Sequence, residues 1–255
     1  MSVFRNDNEY GFTLVELLVG LVLTVIILST AVKLLISQRK AFSVQEQVSE
    51  MQQYIRSAMD IMTREIRMAG CMVTGTSTIR TSGTSTITFL GDIDSDIAAT
   101  LVTNANAGTT VVFVSLTPDS NYSIASTDYI YISDGNRTEV IPSDSSASHL
   151  VGEPDPIYLS SGLLYSYIAG STTVRTVENV TFSHDTANLK IYRNSQPLAE
   201  NIEFISLTYG TNTVTGATNT VTIAITGRTA NIDPNYSGDG YRRGTLTSII
   251  KLRNQ

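Results

Sequence analysis

The apolar run at residues 12–32 constrains this chain more than any other feature. Its length is about what a helix needs to cross a hydrocarbon core. One acid, Glu16, sits near its start. A carboxylate at the centre of such a segment costs about 2.5–3.5 kcal/mol on insertion scales, and less near an end, so it calls for a partner and a function. A secretory signal would put its small-residue cleavage site after the apolar run. Here the small residue suited to cleavage, Gly11, precedes the run, so processing leaves the hydrophobic segment on the mature protein. That segment is an anchor or an assembly element.

From Lys33 the helical pattern continues but becomes one-sided. Val44, Val48, Met51, Ile55, Ala58, Met62, Ile66 and Ala69 recur at steps of four and three, which draws a single apolar stripe. Gln45, Glu46, Glu50, Gln52, Arg56, Asp60, Arg64 and Arg67 fill the wet face between them. Neither Gly nor Pro interrupts residues 21–69, and Gly70 supplies a stop, so a helix is expected from Phe12 to Ala69. The stripe suits packing against the chain's own sheet or a coiled-coil partner; the nearby head favours the sheet.

After Met72 the period changes to that of strands. Segments 85–90, 110–116, 128–133, 163–169, 172–177, 189–193, 202–209, 221–226 and 246–252 are β-branched or aromatic and lie between turn residues. Val221, Ile223 and Ile225 alternate with Thr222, Ala224 and Thr226, as in a half-buried strand. Asp134-Gly135-Asn136 is a hairpin turn before residues 137–141. Long polar loops are expected at 91–108, 143–156 and 231–244, and the Thr/Ser/Gly-rich stretch 74–86 has little to bury. The fold class is α+β: a long N-terminal helix, half transmembrane and half amphipathic, packed on a mainly antiparallel β-sheet head. The boundaries read from composition are a polar 1–11, an apolar 12–32 as the first half of the helix, 33–70 as its amphipathic half and 71–255 as the head.

Charge and side-chain inventory narrow the function. The chain carries a net charge of −6, and acids outnumber bases in the head, so no nucleic-acid partner is expected. Arg242, Arg243, Lys251 and Arg253 form a local basic cluster, read as a solvated face with ion pairs rather than a polyanion site. Cys71 is the single cysteine, so no disulfide can form within the chain. It reads as a small buried hydrophobe, with a reactive or dimerising thiol as the minor alternative. His149 and His184 lie in separate polar segments with no triad or zinc spacing, and no phosphate-binding loop is present, so no enzymatic activity is expected. Asp92, Asp94 and Asp96 alternate like the opening of a calcium loop, but Ile97 and Thr103 stand where an EF-hand needs Gly and Glu. Asn231, Asp233, Asn235 and Asp239 are a second oxygen-rich candidate. Both read as solvated acidic loops, with no cofactor and calcium as the minor alternative.

Gly11-Phe12-Thr13-Leu14-Val15-Glu16-Leu17 resembles the class III signal of type IV pilins and type II secretion pseudopilins. The resemblance implies a prepilin peptidase that cuts between Gly11 and Phe12 and methylates the new Phe12 amine. It implies an ion pair between that amine and Glu16 of adjoining subunits during assembly. The leader here is net acidic where positive leaders are usual. The positive-inside count of Lys33, Arg39 and Lys40 against Arg5 alone would place the head in the cytoplasm; the motif implies the reverse. The stretch 66–70, Tyr241-Arg242-Arg243 and the closing 249–254 resemble the minor pilins of the PilW type. That resemblance implies a minor pilin of a Gram-negative type IV pilus, taking part in pilus assembly or priming. Its partners would be the prepilin peptidase, other minor and major pilins, inner-membrane lipid and the pilus assembly machinery. It would sit as a single-pass inner-membrane protein with a periplasmic head, then in a filament at the cell surface. The alternatives are a minor pseudopilin of a type II secretion system and, from another class, a membrane-anchored adhesin or ligand-binding module using the Tyr158 to Tyr167 stretch.

Overall fold

A computed structural model describes residues 13–73, 78–93, 97–115, 123–124, 128–144, 147–148, 154–211 and 218–252. The protein has an α+β architecture, with one long N-terminal helix and an antiparallel β head. It divides into two compact units, Met1–Ser49 and Glu50–Gln255. The helix, α1, runs Leu14–Arg67 over 54 residues and passes through that division.

Within the first unit the helix is apolar and uncovered: the large aliphatic side chains from Leu14 to Ile36 are exposed. Its hydroxyls are satisfied by the helix itself. Thr24 Oγ1 donates to the Gly20 carbonyl at 2.7 Å, and Ser29 Oγ and Thr30 Oγ1 donate to the Ile26 carbonyl at 2.9 and 2.7 Å. Hydroxyls bonded this way can enter a medium without water.

Within the second unit the same helix buries one face. Met51, Ile55, Ala58, Met59, Met62 and Ile66 are in the core. The helix ends at Arg67 in a tight turn. Met68 N–H donates to the Glu65 carbonyl and Ala69 N–H to the Ile66 carbonyl, and Gly70 (φ 78°) turns the chain. Glu65, buried near the end, accepts Arg193 Nε at 2.8 and 3.0 Å, which ties the last helical turn to the sheet.

The strands are β1 Ile79–Ser82, β2 Thr86–Gly91, β3 Ala98–Leu101, β4 Val111–Ser115, β5 Ser123–Ile124, β6 Tyr129–Ser133, β7 Thr138–Pro142, β8 Ala147–Ser148, β9 Asp155–Tyr158, β10 Thr173–Asp185, β11 Lys190–Arg193, β12 Gln196–Ala199, β13 Ile202–Thr211, β14 Thr218–Arg228 and β15 Arg243–Lys251. The hub is β10. Its first residues pair with β3 and β6, and its later ones with β2 and β11. Inward Val, Ile and Leu of β3, β4, β6, β7, β9 and β10 close around Tyr167 to form the main cluster. A separate three-stranded sheet, β13-β14-β15, uses Ile205, Leu207, Val221, Ile223, Ile225 and Ile250 as its buried face.

The stripe is covered by the chain's own head from Met51 onward, as the sheet-packing reading expects. Two glycines permit this approach. Gly227 and Gly244 are cross-strand partners in β14 and β15. A Cβ on Gly227 would lie 2.9 Å from Ile55 Cδ1, and one on Gly244 would lie 3.0 Å from Met51 Cε. The helix therefore rests where the sheet has no side chains.

Three expectations are revised. Residues 163–169 form no strand, because the buried Glu139 carboxylate takes the N–H groups of Leu164 and Tyr165 at 2.8 and 2.9 Å, leaving only an isolated bridge between Tyr167 and Ala105. The stretches read as loops hold β1, β3 and β9. These strands are short; β1 is mostly exposed, β3 has alternating small residues, and β9 contains Pro156, so none carries a strong apolar signal. The helix stops at Arg67, short of Ala69. The hairpin at Asp134 is present: Asp134 Oδ1 accepts the N–H groups of Asn136 and Arg137 at 2.9 and 2.7 Å, and Gly135 has φ 87°.

Gly227→Val forces a branched side chain against Ile55 and Met51. It should cost about 1–3 kcal/mol, measured as a lower urea midpoint by circular dichroism of the full chain in detergent micelles. An unchanged midpoint would contradict the close-approach role of this glycine.

Candidate functional site

The N-terminal end of α1 is built by Thr13 and Glu16. Thr13 is the N-cap: its carbonyl accepts the Leu17 N–H at 3.2 Å, and its hydroxyl accepts the Glu16 N–H at 3.3 Å. Glu16 returns the contact, as Oε2 accepts both the Thr13 N–H and the Thr13 hydroxyl at 2.9 Å. This is a reciprocal capping box, in which a threonine and a glutamate three residues apart satisfy orphan N–H donors at a helix start. The Thr-x-x-Glu spacing at 13–16 signals it in the sequence, yet the apolar-run reading passes over it. One carboxylate oxygen, Oε1, has no partner among the described residues. The arrangement thus fixes the carboxylate at the Thr13 N–H with an oxygen left to accept a cation. Gly11 and Phe12 lie outside the described residues.

Around this acid the surface is uniformly apolar. Leu14, Val15, Leu17, Leu18 and Leu21 are all exposed, and α1 holds an 18-residue window of mean hydropathy 2.5 with none of it buried. A helix that is apolar on every side belongs in lipid or among other helices. In such a medium the capping box supplies only neutral donors to Glu16, so its negative charge is hydrogen-bonded but not neutralised.

The head carboxylates named from the sequence are engaged by arginines. Asp92 is buried, and its Oδ2 lies 3.6 Å from Arg175 Nη1. Asp94 and Asp96 lie outside the described residues, as do His149 and Arg253. Asp233 accepts Arg242 Nε and Nη2 at 2.9 and 2.7 Å, and Arg242 also stacks over Tyr236 at 5.0 Å. Arg243 grips Glu203 with Nε and Nη2 at 2.5 and 2.8 Å, and Asp239 with Nη1 and Nη2 at 3.0 and 2.5 Å. Arg228 covers Tyr241 at 4.3 Å. The β14–β15 connection is thus stapled by guanidinium groups in a chain whose single cysteine rules out an internal disulfide. Among the described residues no three or more His, Cys, Asp or Glu side chains come together as metal ligands. His184 Nε2 bonds the Ile202 carbonyl at 2.9 Å, and Cys71 is half-buried.

The stretch around Tyr158 to Tyr167 divides on folding. Tyr167 is in the core, where burial first and the nearby Glu139 charge second push its phenol well above the usual range. Among the described residues its hydroxyl makes no well-aligned hydrogen bond. Leu164 and Ile168 are exposed, and Tyr165 lies under Arg137 at 5.2 Å.

Comparison with known proteins identifies the prokaryotic N-terminal methylation motif at residues 6–32. No curated protein and no solved structure matches the chain. The motif is of the type IV prepilin kind. It implies processing by a prepilin peptidase and association with other pilins, and with the apolar helix it indicates a membrane-anchored protein with a soluble head.

The arginine staple sets an acid limit. The Arg243 guanidinium, followed by the Tyr241 N–H, holds the Asp239 carboxyl down to about 2 from an ordinary value of 3.8. A depressed carboxyl stabilises the fold fully above its unfolded value and loses that contribution as pH falls through its folded value. Near-ultraviolet circular dichroism from Tyr236 and Tyr241 should therefore stay flat down to about pH 4 and change between there and about pH 2. In Arg243→Gln the change should begin at higher pH. Coincident profiles would contradict the staple.

Proposed function

We propose that this chain is a minor pilin of the PilW type in a Gram-negative type IV pilus system, a non-enzymatic subunit that takes part in pilus assembly or priming. One observation carries the reading: Gly11-Phe12-Thr13-Leu14-Val15-Glu16 falls inside the methylation motif, and the helix that begins at Leu14 has its aliphatic side chains exposed up to Ile36. In this reading residues 1–11 are a leader removed between Gly11 and Phe12. Residues 12–32 are the membrane and then filament-core half of the helix, 33–70 its amphipathic half, and 71–255 the head. The head faces the periplasm before assembly and the cell surface afterwards, and the partners are the prepilin peptidase, other minor and major pilins and the assembly machinery.

The mechanism is assembly through an ion pair made by processing. Cleavage turns the Phe12 nitrogen into an N-terminal amine, a cation one residue from the capping box. Glu16 Oε1 of an adjoining subunit accepts it while Oε2 stays on Thr13. Each charge alone is costly in an apolar medium. Paired, they offset one another's desolvation and fix the axial register of packed helices.

The capping box allows the charge to be separated from the cap. Glu16→Gln keeps the Thr-x-x-Gln pattern that caps a helix but removes the anion. Glu16→Gln should therefore insert in the membrane normally yet lose co-purification with other minor pilins by about tenfold, and Glu16→Ala should do the same. Wild-type co-purification of Glu16→Gln, with Glu16→Ala defective, would assign the residue to capping and sink the ion-pair mechanism.

A further inference from the structure

Most sheet edges in this head carry a feature that blocks further strand pairing. Strand β1 is four residues long with a register shift between Ile79 and Thr81. Strands β7, β9 and β12 contain Pro142, Pro156 and Pro197. Strand β13 has two register shifts, and its outer backbone is taken: Leu207 N–H donates to the Thr84 carbonyl, and Ile202 N–H to the Leu189 carbonyl. Short strands, prolines and bulges are the usual means by which proteins protect edges.

Strand β15 has none of these. It pairs with β14 over nine residues in unbroken register, lies at the end of its sheet, and contains no proline. Residues 244–250 are uncharged. The direction of its backbone groups follows from two flanking hydrogen bonds in the same register, Leu252 N–H to the Asn219 carbonyl and Thr229 N–H to the Arg242 carbonyl, both 2.9 Å. Hydrogen-bonded pairs alternate along an antiparallel ladder, so the even-numbered residues of β15 bond to β14. Arg243, Thr245, Thr247, Ile249 and Lys251 then point their N–H and C=O groups outward, where no described residue meets them. Ile249 is 73% exposed. Among the described residues only the terminal Lys251 guards this edge, which makes it a template for strand addition.

Charge selects the occupant. Arg243 is neutralised by Glu203 and Asp239, whereas Lys251 has no ion pair among the described residues. A second copy of the chain suits the edge poorly. Its β15 holds no carboxylate: antiparallel pairing about Thr247 sets Lys251 opposite an Arg243 whose two carboxylates are already engaged, and parallel pairing in register stacks lysine on lysine. Like charges opposite one another oppose sheet pairing.

We propose that β15 is a strand-addition site for an extended segment of a different protein, uncharged and β-branched in its middle, with a carboxylate placed opposite Lys251. The proposal rests on the sheet alone and is independent of the processing reading.

The test uses the full chain in detergent micelles and labelled nine-residue peptides of alternating Thr and Val, ending in Glu at both ends or in Lys at both ends. By fluorescence anisotropy the Glu-ended peptide should bind, with about threefold to fivefold preference over the Lys-ended one. It should slow hydrogen exchange at Thr245, Thr247 and Ile249. Lys251→Glu should reverse the preference. Thr247→Pro removes an outward N–H that β14 does not use, so it should abolish binding while amides of the even-numbered residues stay protected. The proposal is overturned by absence of binding to the folded chain at millimolar peptide, by equal affinity for the two peptides, or by binding that survives Thr247→Pro. A dimer of the unliganded chain in sedimentation, lost in Thr247→Pro, would make a second copy the occupant and overturn it as well.

Discussion

A helix that exposes aliphatic side chains on every side from Leu14 to Ile36 is out of place in water, where each such side chain left unburied forgoes about 1.5–3 kcal/mol. Everything distinctive about the N-terminal half answers that constraint. Thr24, Ser29 and Thr30 return their hydroxyls to helix carbonyls. Thr13 and Glu16 satisfy each other at the helix start, where four N–H groups would otherwise be orphaned. What the segment cannot supply for itself is a counter-charge for Glu16. In the proposed mechanism that deficit makes the acid a contact point between chains.

Past Ser49 the same helix obeys a different rule. It keeps one apolar face and lays it on a sheet whose side chains are deleted at the contact, Gly227 and Gly244 beneath Met51 and Ile55. The pair of buried Glu65 with half-buried Arg193 closes the far end. A head without disulfides meets its loop-ordering needs with guanidinium contacts instead, the Arg242–Asp233 and Arg243–Glu203–Asp239 groups holding the β14–β15 connection. Among the described residues, none bonds the outward backbone groups of the strand that follows this ordered connection.

The sequence shows most plainly what is periodic or local. The stripe from Met51 to Ile66, the alternation of 221–226 and the Asp134 turn all depend on near neighbours and are present as read. The Thr13–Glu16 capping box is equally local, but hydrophobicity dominates that stretch and hides it. What escaped is long-range. Glu139 is 25 residues from the Leu164 N–H it accepts, so nothing near 163–169 announces that a carboxylate will displace a strand there. Arg242 and Arg243 make ion pairs, as expected of a solvated face, but that one partner is Glu203, brought across the sheet by β13, is not legible near them in the sequence. The outward row of β15 depends on hydrogen-bond parity, which side-chain alternation alone does not reveal.

The central claim is that Glu16 acts through an amine created by processing, and the mature N-terminus tests it most directly. Mass spectrometry of the protein purified from its own membranes should give a chain that begins at Phe12 and carries a methyl group on its amine. A chain that retains residues 1–11, or one cut elsewhere, would leave Glu16 without its cation and contradict the account.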